Sequence, residues 1–391
     1  MINATQAEGP ETSKRKRIAL VANWDWVLFN FRLPLAGYLK DVGFEVILIC
    51  PRGEYFEQIQ SRGFTVIEWK LDRRSISPLN EMRAIRHLSR LYRELNPDLV
   101  HHFTIKPIVY GSIAARLARI PAVVSNFTGL GFLFTEAALA RFLRWLVSPV
   151  IRFAARGKRF ATLFQNEHDR DLMLRYKLTS RDQSQVIPGT GVDLNRFDGR
   201  ARSSEKIPVE VLMAARLLLD KGLAEYVEAA KSLKHRGVAA RFRIAGEIDR
   251  GNPAHVPADI LAGWKESDAV DFLGHRADID KLLRQADIAV LPSYHEGVPL
   301  FLIEAAAAGL PLVASDIPGC RMVVEEGQNG LLVPVKDADA LAEAIAELAR
   351  DGEMRANMGR RSREIAEERF SIEQINQQYL DVYRNLGIVA K

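Results

Sequence analysis

Residues 296–304 read Glu296-Gly297-Val298-Pro299-Leu300-Phe301-Leu302-Ile303-Glu304. Two carboxylates stand eight residues apart across what reads as a loop running into a helix. Pro299 favours the first turn, where its missing N–H costs nothing, and Gly309 and Pro311 close the segment. Glu304 falls in one of the most apolar stretches of the chain, behind Phe301, Leu302 and Ile303 and ahead of Ala305 to Ala308. An ionised carboxylate buried there without partners would be costly, and a ligand rich in hydroxyl groups would supply them. The N–H groups and dipole at the start of such a helix suit a diphosphate or sugar oxygens. Gly297, Val298, Pro299 and Leu300 are therefore candidate contacts, with Glu296 in the loop and Glu304 expected two turns into the helix.

Outward from this segment the chain alternates short apolar runs with helical patterns. Strands are expected at Val209–Ala214, Arg241–Ala245, Val270–Leu273, Ile288–Leu291 and Leu312–Ser315. The first half has the same rhythm at Arg17–Ala22, Glu45–Cys50, Thr65–Trp69, Leu99–Phe103, Ala122–Asn126, Thr162–Gln165 and Gln185–Ile187, with helices such as Leu33–Val42 and Leu79–Leu95 between them. That alternation predicts an α/β protein with parallel sheets covered on both faces. Two doubly wound, Rossmann-like domains with a cleft between them follow, and ligands belong at the carboxyl ends of the strands. The expected division is a basic disordered tail at 1–16, a first domain at 17–194, a linker at 195–207, a second domain at 208–371 and an amphipathic last helix within 372–391.

Composition fits a soluble globular protein: 391 residues, 48% hydrophobic and 26% charged. Cys50 and Cys320 are too few and too far apart for a disulfide framework or a metal pattern, which favours a reducing compartment. No signal peptide or membrane span is expected. The net charge of +5 is unevenly spread. Residues 1–190 hold 28 Lys and Arg against 17 Asp and Glu, whereas residues 191–391 hold 26 against 32. A basic first half points to an anionic surface or substrate.

A second element, Arg216-Leu217-Leu218-Leu219-Asp220-Lys221-Gly222, follows the first strand of the second domain. Two cations around one strand-to-helix loop suit a pyrophosphate and would neutralise charge growing on a leaving group. With the eight-residue carboxylate spacing, this element resembles the retaining nucleotide-sugar glycosyltransferases of family 4, and the resemblance runs from Arg17 to the end. It implies the two-domain GT-B fold, with the last helix packing back across the first domain. It also implies that Glu296 meets the donor sugar, Glu304 the ribose, and Arg216 and Lys221 the pyrophosphate, without metal or other cofactor. Gly246 and His275 resemble the family's glycine turn and base-contacting loop; plain turns explain both equally well.

The first domain is less specific. The loop Asn23–Arg32 lacks the family's usual glycines and resembles the subgroup that acts on polyprenyl-diphosphate-linked sugars, with Asn30 and Arg32 as acceptor candidates. Helix capping by Asn30 and a solvated Arg32 stand beside that reading. His101, His102 and Lys106 end a strand at the expected cleft, where many family members carry a reactive-centre histidine. Thr128 and Gly129 follow another strand end and could let backbone approach an acceptor phosphate. Arg141, Arg144, Trp145, Arg152, Arg156, Lys158 and Arg159 interleave cations with apolar residues, as on a helix lying on anionic lipid, although ordinary core packing has the same spacing. No metal-ligand spacing is present: Asp278-Ile279-Asp280 and Asp337-Ala338-Asp339 read as helix caps.

The resemblance implies same-face transfer of a hexose or N-acetylhexosamine from a nucleotide sugar, UDP-linked by preference, to a saccharide on a polyprenyl diphosphate. The partners would be the donor, the lipid-linked acceptor and the inner face of a bacterial plasma membrane, with no nucleic acid and a cytoplasmic location. Two alternatives remain at this point: a nucleotide-sugar epimerase of similar fold, and a non-catalytic scaffold on the membrane surface.

Overall fold

In the computed structural model, residues 15–390 are described apart from 74, 76, 131–147, 150, 153–156, 158, 198, 200–206, 250 and 253. Seven parallel strands form the first sheet: β1 (Arg17–Val21), β2 (Glu45–Cys50), β3 (Thr65–Glu68), β4 (Leu99–Phe103), β5 (Ala122–Phe127), β6 (Phe160–Phe164) and β7 (Ser184–Val186). Their spatial order is β3-β2-β1-β4-β5-β6-β7. The second sheet contains β8 (Val209–Ala214), β9 (Ala240–Ala245), β10 (Val270–Phe272), β11 (Ile288–Leu291), β12 (Leu312–Ser315) and β13 (Gly330–Val333), in the order β10-β9-β8-β11-β12-β13. Each order reverses beside its first strand, at β1/β4 and at β8/β11, and a crevice opens there beyond the carboxyl ends.

Strands β1 and β4 are buried on both faces, and the core each residue joins follows the two-residue period of a strand. In β1, Ile18 and Leu20 enter one core of the first domain and Ala19 and Val21 the other. In β4, Leu99 and Phe103 face the first of these cores and Val100 the second. The second sheet shares one continuous core with its helices, from Val209 to Phe370. β13 was not anticipated. Its glycine-rich lead-in reads as a turn, and only pairing of Gly330–Val333 with Leu312–Ser315 makes it a strand.

The chain returns to the first domain at its end. Val192 and Ile372 exchange backbone hydrogen bonds with Phe370 and Val192 (2.8 and 3.0 Å). Gly191 is required beside them: its φ is +76°, and a Cβ there would sit 2.7 Å from Ile372 Cα. The last helix, Ile372–Asn385, buries Ile375, Tyr379, Leu380 and Tyr383 in the first-domain core. Tyr38 Oη donates to Gln377 Oε1 at 2.7 Å on its rim. Among the described residues no helix is long and apolar enough to cross a membrane.

Candidate active site

Close backbone contact brings the two charged loops of the second domain together. Gly222 has φ +73°, and any Cβ there would collide with Pro292 O. Tyr294 N–H donates to Asp220 O at 2.9 Å. The loop after β8 is thereby laid against the loop after β11, and Lys221 Nζ meets Glu296 Oε1 at 2.6 Å. Both side chains are largely buried, at 16% exposure each. Arg216 lies further out and pairs with Asp249 at 2.9 Å.

The helix behind this loop spans Leu300–Ala307, with Pro299 as its extended N-cap. Glu304 is its fifth residue and stands little more than one turn in, not the two turns expected, since about 3.6 residues make a turn. Gly309, at φ +71°, ends it as expected. Burial raises the Glu304 carboxyl from its ordinary 4.5 to about 7; Arg196 opposes that shift and Asp280 adds to it. Among the described residues no hydrogen bond reaches this carboxylate.

The first domain closes against the same loop. Gln165 Oε1 accepts the Val298 N–H at 3.1 Å, and Asn166 Nδ2 donates to Gly297 O at 3.1 Å. A Cβ on Gly297 would collide with Gln165 Oε1 and lie 2.9 Å from Thr128 O. The Val298 N–H expected to meet the donor is thus held by protein, and Pro299 has none. The cleft left between the domains measures about 580 Å³. Thr128, Gly129, Leu130, His168 and Asp169 line one wall, and Tyr294, His295, Glu296, Gly297 and Pro318 the other.

Several expected site residues are placed elsewhere. His101 and His102 are fully buried on opposite faces of the first sheet, because adjacent strand residues alternate. His101 Nδ1 shares a 2.6 Å hydrogen bond with Tyr383 Oη of the last helix, and His102 Nε2 shares one of 2.9 Å with Tyr92 Oη. Burial holds both rings below their ordinary pKa, His102 at about 3. They are corrected from sugar-orienting groups to interior ones. Arg32 is also corrected: it is 2% exposed, stacks 4.2 Å from the Phe103 ring centroid and donates to Tyr379 Oη at 3.3 Å. Asn30 is exposed and donates back to Trp26 O at 3.0 Å rather than capping a helix.

Lys106 is turned away to Glu81 Oε1 (3.1 Å) and Ser75 O (2.6 Å), yet it still borders a smaller cavity of about 230 Å³ with Asn23, Thr104, Thr128 and Gly129. Gly246 takes a tight turn against Ala215 O, and His275 is exposed 3.6 Å from Glu247. Asp337 caps its helix through Ala340 N–H (2.8 Å), whereas Asp278 is drawn instead to Arg276 (2.8 and 2.7 Å). In the basic stretch, Arg152 and Arg159 are exposed; Arg141, Arg144, Trp145, Arg156 and Lys158 lie outside the described residues. The sequence reading missed Gln165, Asn166, Asp169 and Arg196. A polar Gln-Asn pair directly after β6 was the available signal for the first two, since ligands and partners gather at strand ends in such sheets.

The sequence pattern of the family described as Glycosyl transferases group 1 matches residues 196–365, and that of Glycosyl transferase 4-like matches 17–166. The chain is 31% identical over 381 residues to the N,N'-diacetylbacillosaminyl-diphospho-undecaprenol alpha-1,3-N-acetylgalactosaminyltransferase of Campylobacter jejuni, covering 94% of this chain and 98% of that protein. This chain belongs to the family 4-like glycosyltransferases. A second glycosyltransferase, the UDP-Gal:alpha-D-GlcNAc-diphosphoundecaprenol alpha-1,3-galactosyltransferase of Escherichia coli, is 29% identical over 329 residues, or 80% of this chain and 82% of that one. The solved structure of Anabaena HepE in complex with UDP shares the GT-B fold, with a TM-score of 0.76 at 19% identity over 94% of this chain and 100% of that one. The protein is accordingly a glycosyltransferase, and the scaffold alternative falls.

Proposed function

We propose that this glycosyltransferase transfers a hexose or N-acetylhexosamine, with retention, from a UDP-sugar to a saccharide carried on a polyprenyl diphosphate in bacterial surface-glycan assembly. The observation that carries this reading is the Lys221–Glu296 pair, whose Glu296 lines the inter-domain cleft. It sets a cation for the leaving phosphate next to a carboxylate for sugar hydroxyls. Glu304, short of partners in its apolar helix, is matched by ribose hydroxyls. The names of the Campylobacter and Escherichia relatives, both acting on undecaprenol-linked acceptors, support the acceptor class.

In the proposed reaction an acceptor hydroxyl attacks the anomeric carbon on the face from which the diphosphate departs. The C–O bond to the acceptor forms as the C–O bond to phosphate breaks, and the hydroxyl proton passes to a phosphate oxygen. Lys221, Arg216 and the N-terminus of helix Leu300–Ala307 stabilise the departing charge. Glu296 holds the sugar, and no metal takes part. The protein would meet its lipid substrate as a peripheral protein at the inner face of the membrane.

The test is nucleotide release by purified protein given a panel of UDP- and GDP-sugars, with and without polyprenyl-diphosphate-linked saccharides. Release requiring one donor together with one lipid acceptor supports the proposal. Isomerised donor or free sugar formed without acceptor would move the protein to epimerase chemistry.

A further inference from the structure

We propose that Asp169 is the acceptor-selecting residue: its carboxylate takes a hydrogen bond from a hydroxyl on the terminal sugar of the acceptor, beside the hydroxyl that attacks. This rests on the transfer reaction proposed above and assigns its acceptor side.

Asp169 stands on the first-domain wall of the cleft that Glu296 lines from the second. It is the third residue of helix Glu167–Arg175, whose N-cap Asn166 accepts the Asp169 N–H at 2.8 Å. An acid at that position commonly reaches back to the N-cap N–H. Here it does not: Oδ2 accepts from Leu130 N–H and from Asn166 Nδ2, each at 3.3 Å. Among the described residues Oδ1 has no hydrogen-bond partner, and none of their Lys or Arg side chains forms an ion pair with Asp169. The same Asn166 amide that steadies Oδ2 also donates to Gly297 O. One amide thus contacts both the carboxylate and the second-domain loop.

The sign of the charge chooses the ligand. A carboxylate repels the donor diphosphate and the lipid diphosphate alike, and it accepts strongly from a hydroxyl. Glu296 already faces the cleft from the donor domain with Lys221 as its cation. Asp169 is the corresponding acid on the other domain, free to accept from the second sugar. Holding a neighbouring hydroxyl leaves the attacking one free to pass its proton to the phosphate. Asp169 itself neither gains nor loses a proton over the cycle, and it decides which hydroxyl faces the anomeric carbon.

The experiment uses the full chain and the donor–acceptor pair that supports nucleotide release. Asp169→Asn should raise the acceptor KM by about tenfold or more, as expected for a lost hydrogen bond to a charged group. Donor KM, UDP affinity and melting temperature should stay at wild-type values, and Asp169→Glu should recover part of the acceptor affinity. An acceptor lacking the bound hydroxyl should be penalised with the wild type but no further with Asp169→Asn. An unchanged acceptor KM, a rise confined to donor KM, or a parallel fall in UDP affinity and melting temperature overturns the assignment. In those cases Lys221→Ala, still impaired in the same assay, leaves the transfer reaction standing. A wild type that releases nucleotide with no pair overturns that reaction, and this assignment with it.

Discussion

Lys221 Nζ lies 2.6 Å from Glu296 Oε1, joining the loops that follow β8 and β11 into one charged surface. If the amine serves the leaving phosphate, its loss should appear in turnover more than in binding. Lys221→Ala is expected to lower kcat by about a hundredfold or more, with UDP affinity changed far less. Steady-state kinetics and calorimetry with UDP separate the two. Because the side chains touch, Lys221→Ala and Glu296→Ala should combine to less than the product of their separate effects. Strictly multiplicative losses would mean that the pair does not act as a unit.

Gly297 is one point at which the domains meet. A Cβ there would press on Gln165 Oε1 and on Thr128 O, and only the first is the end of a movable side chain. Gly297→Ala should therefore hold the domains apart without disturbing either core. The expected result is a melting temperature within a few degrees of wild type, a loss of transfer of at least about tenfold, and a larger radius of gyration in solution scattering. Gln165→Ala, which removes one inter-domain hydrogen bond, should have a milder effect of the same kind, about 1 kcal/mol.

Glu304 binds protons more tightly in the fold than in the unfolded chain, because burial raises its carboxyl to about 7. Its share of stability is therefore greatest below about 4.5 and is lost as pH rises through about 7. Relative to Glu304→Gln, the wild type should lose on the order of 2 kcal/mol between these limits. On the proposed reading nucleotide binding runs the other way, since ribose hydroxyls would favour the ionised form. UDP should bind the wild type more tightly at pH 8 than at pH 6, and Glu304→Gln should flatten that difference. Chemical denaturation and calorimetry across this range test both signs.

His102 has the opposite sign. Burial lowers its pKa from 6.5 to about 3, so the stability it contributes is full above 6.5 and is lost as pH falls towards 3. His102→Ala removes an interior ring and its hydrogen bond to Tyr92 and should cost about 2–4 kcal/mol. The kcat measured well below the melting temperature should stay within a few-fold of wild type. A collapse of kcat with unchanged stability would restore the ring to the chemistry.

The particular elements show how far the linear pattern reaches. Glu45–Cys50, Leu99–Phe103, Val209–Ala214, Ile288–Leu291 and Leu312–Ser315 fold over their expected bounds, because runs buried on both faces carry their own signal. Glu296, Glu304 and Lys221 were legible as site candidates because one loop-to-helix junction or one short turn holds each of them. Gln165, Asn166 and Asp169 were not: their partners Val298, Gly297 and Leu130 lie up to 133 residues away, beyond any local period. The histidine pair was misread because chemical type and strand-end position say nothing of depth.

By itself, then, the sequence determined the two parallel sheets, through alternation, and the charged residues of the second-domain loops, through turn glycines and short-range spacing; the motifs those residues form carried the resemblance to the glycosyltransferase family. Only the tertiary structure decided that Lys221 pairs with Glu296, that His101 and His102 belong to the interior, and that Asp169 lines the same inter-domain cleft as Glu296. Those relationships depend on which strand ends lie side by side and which face each residue presents. Packing of the whole chain sets both.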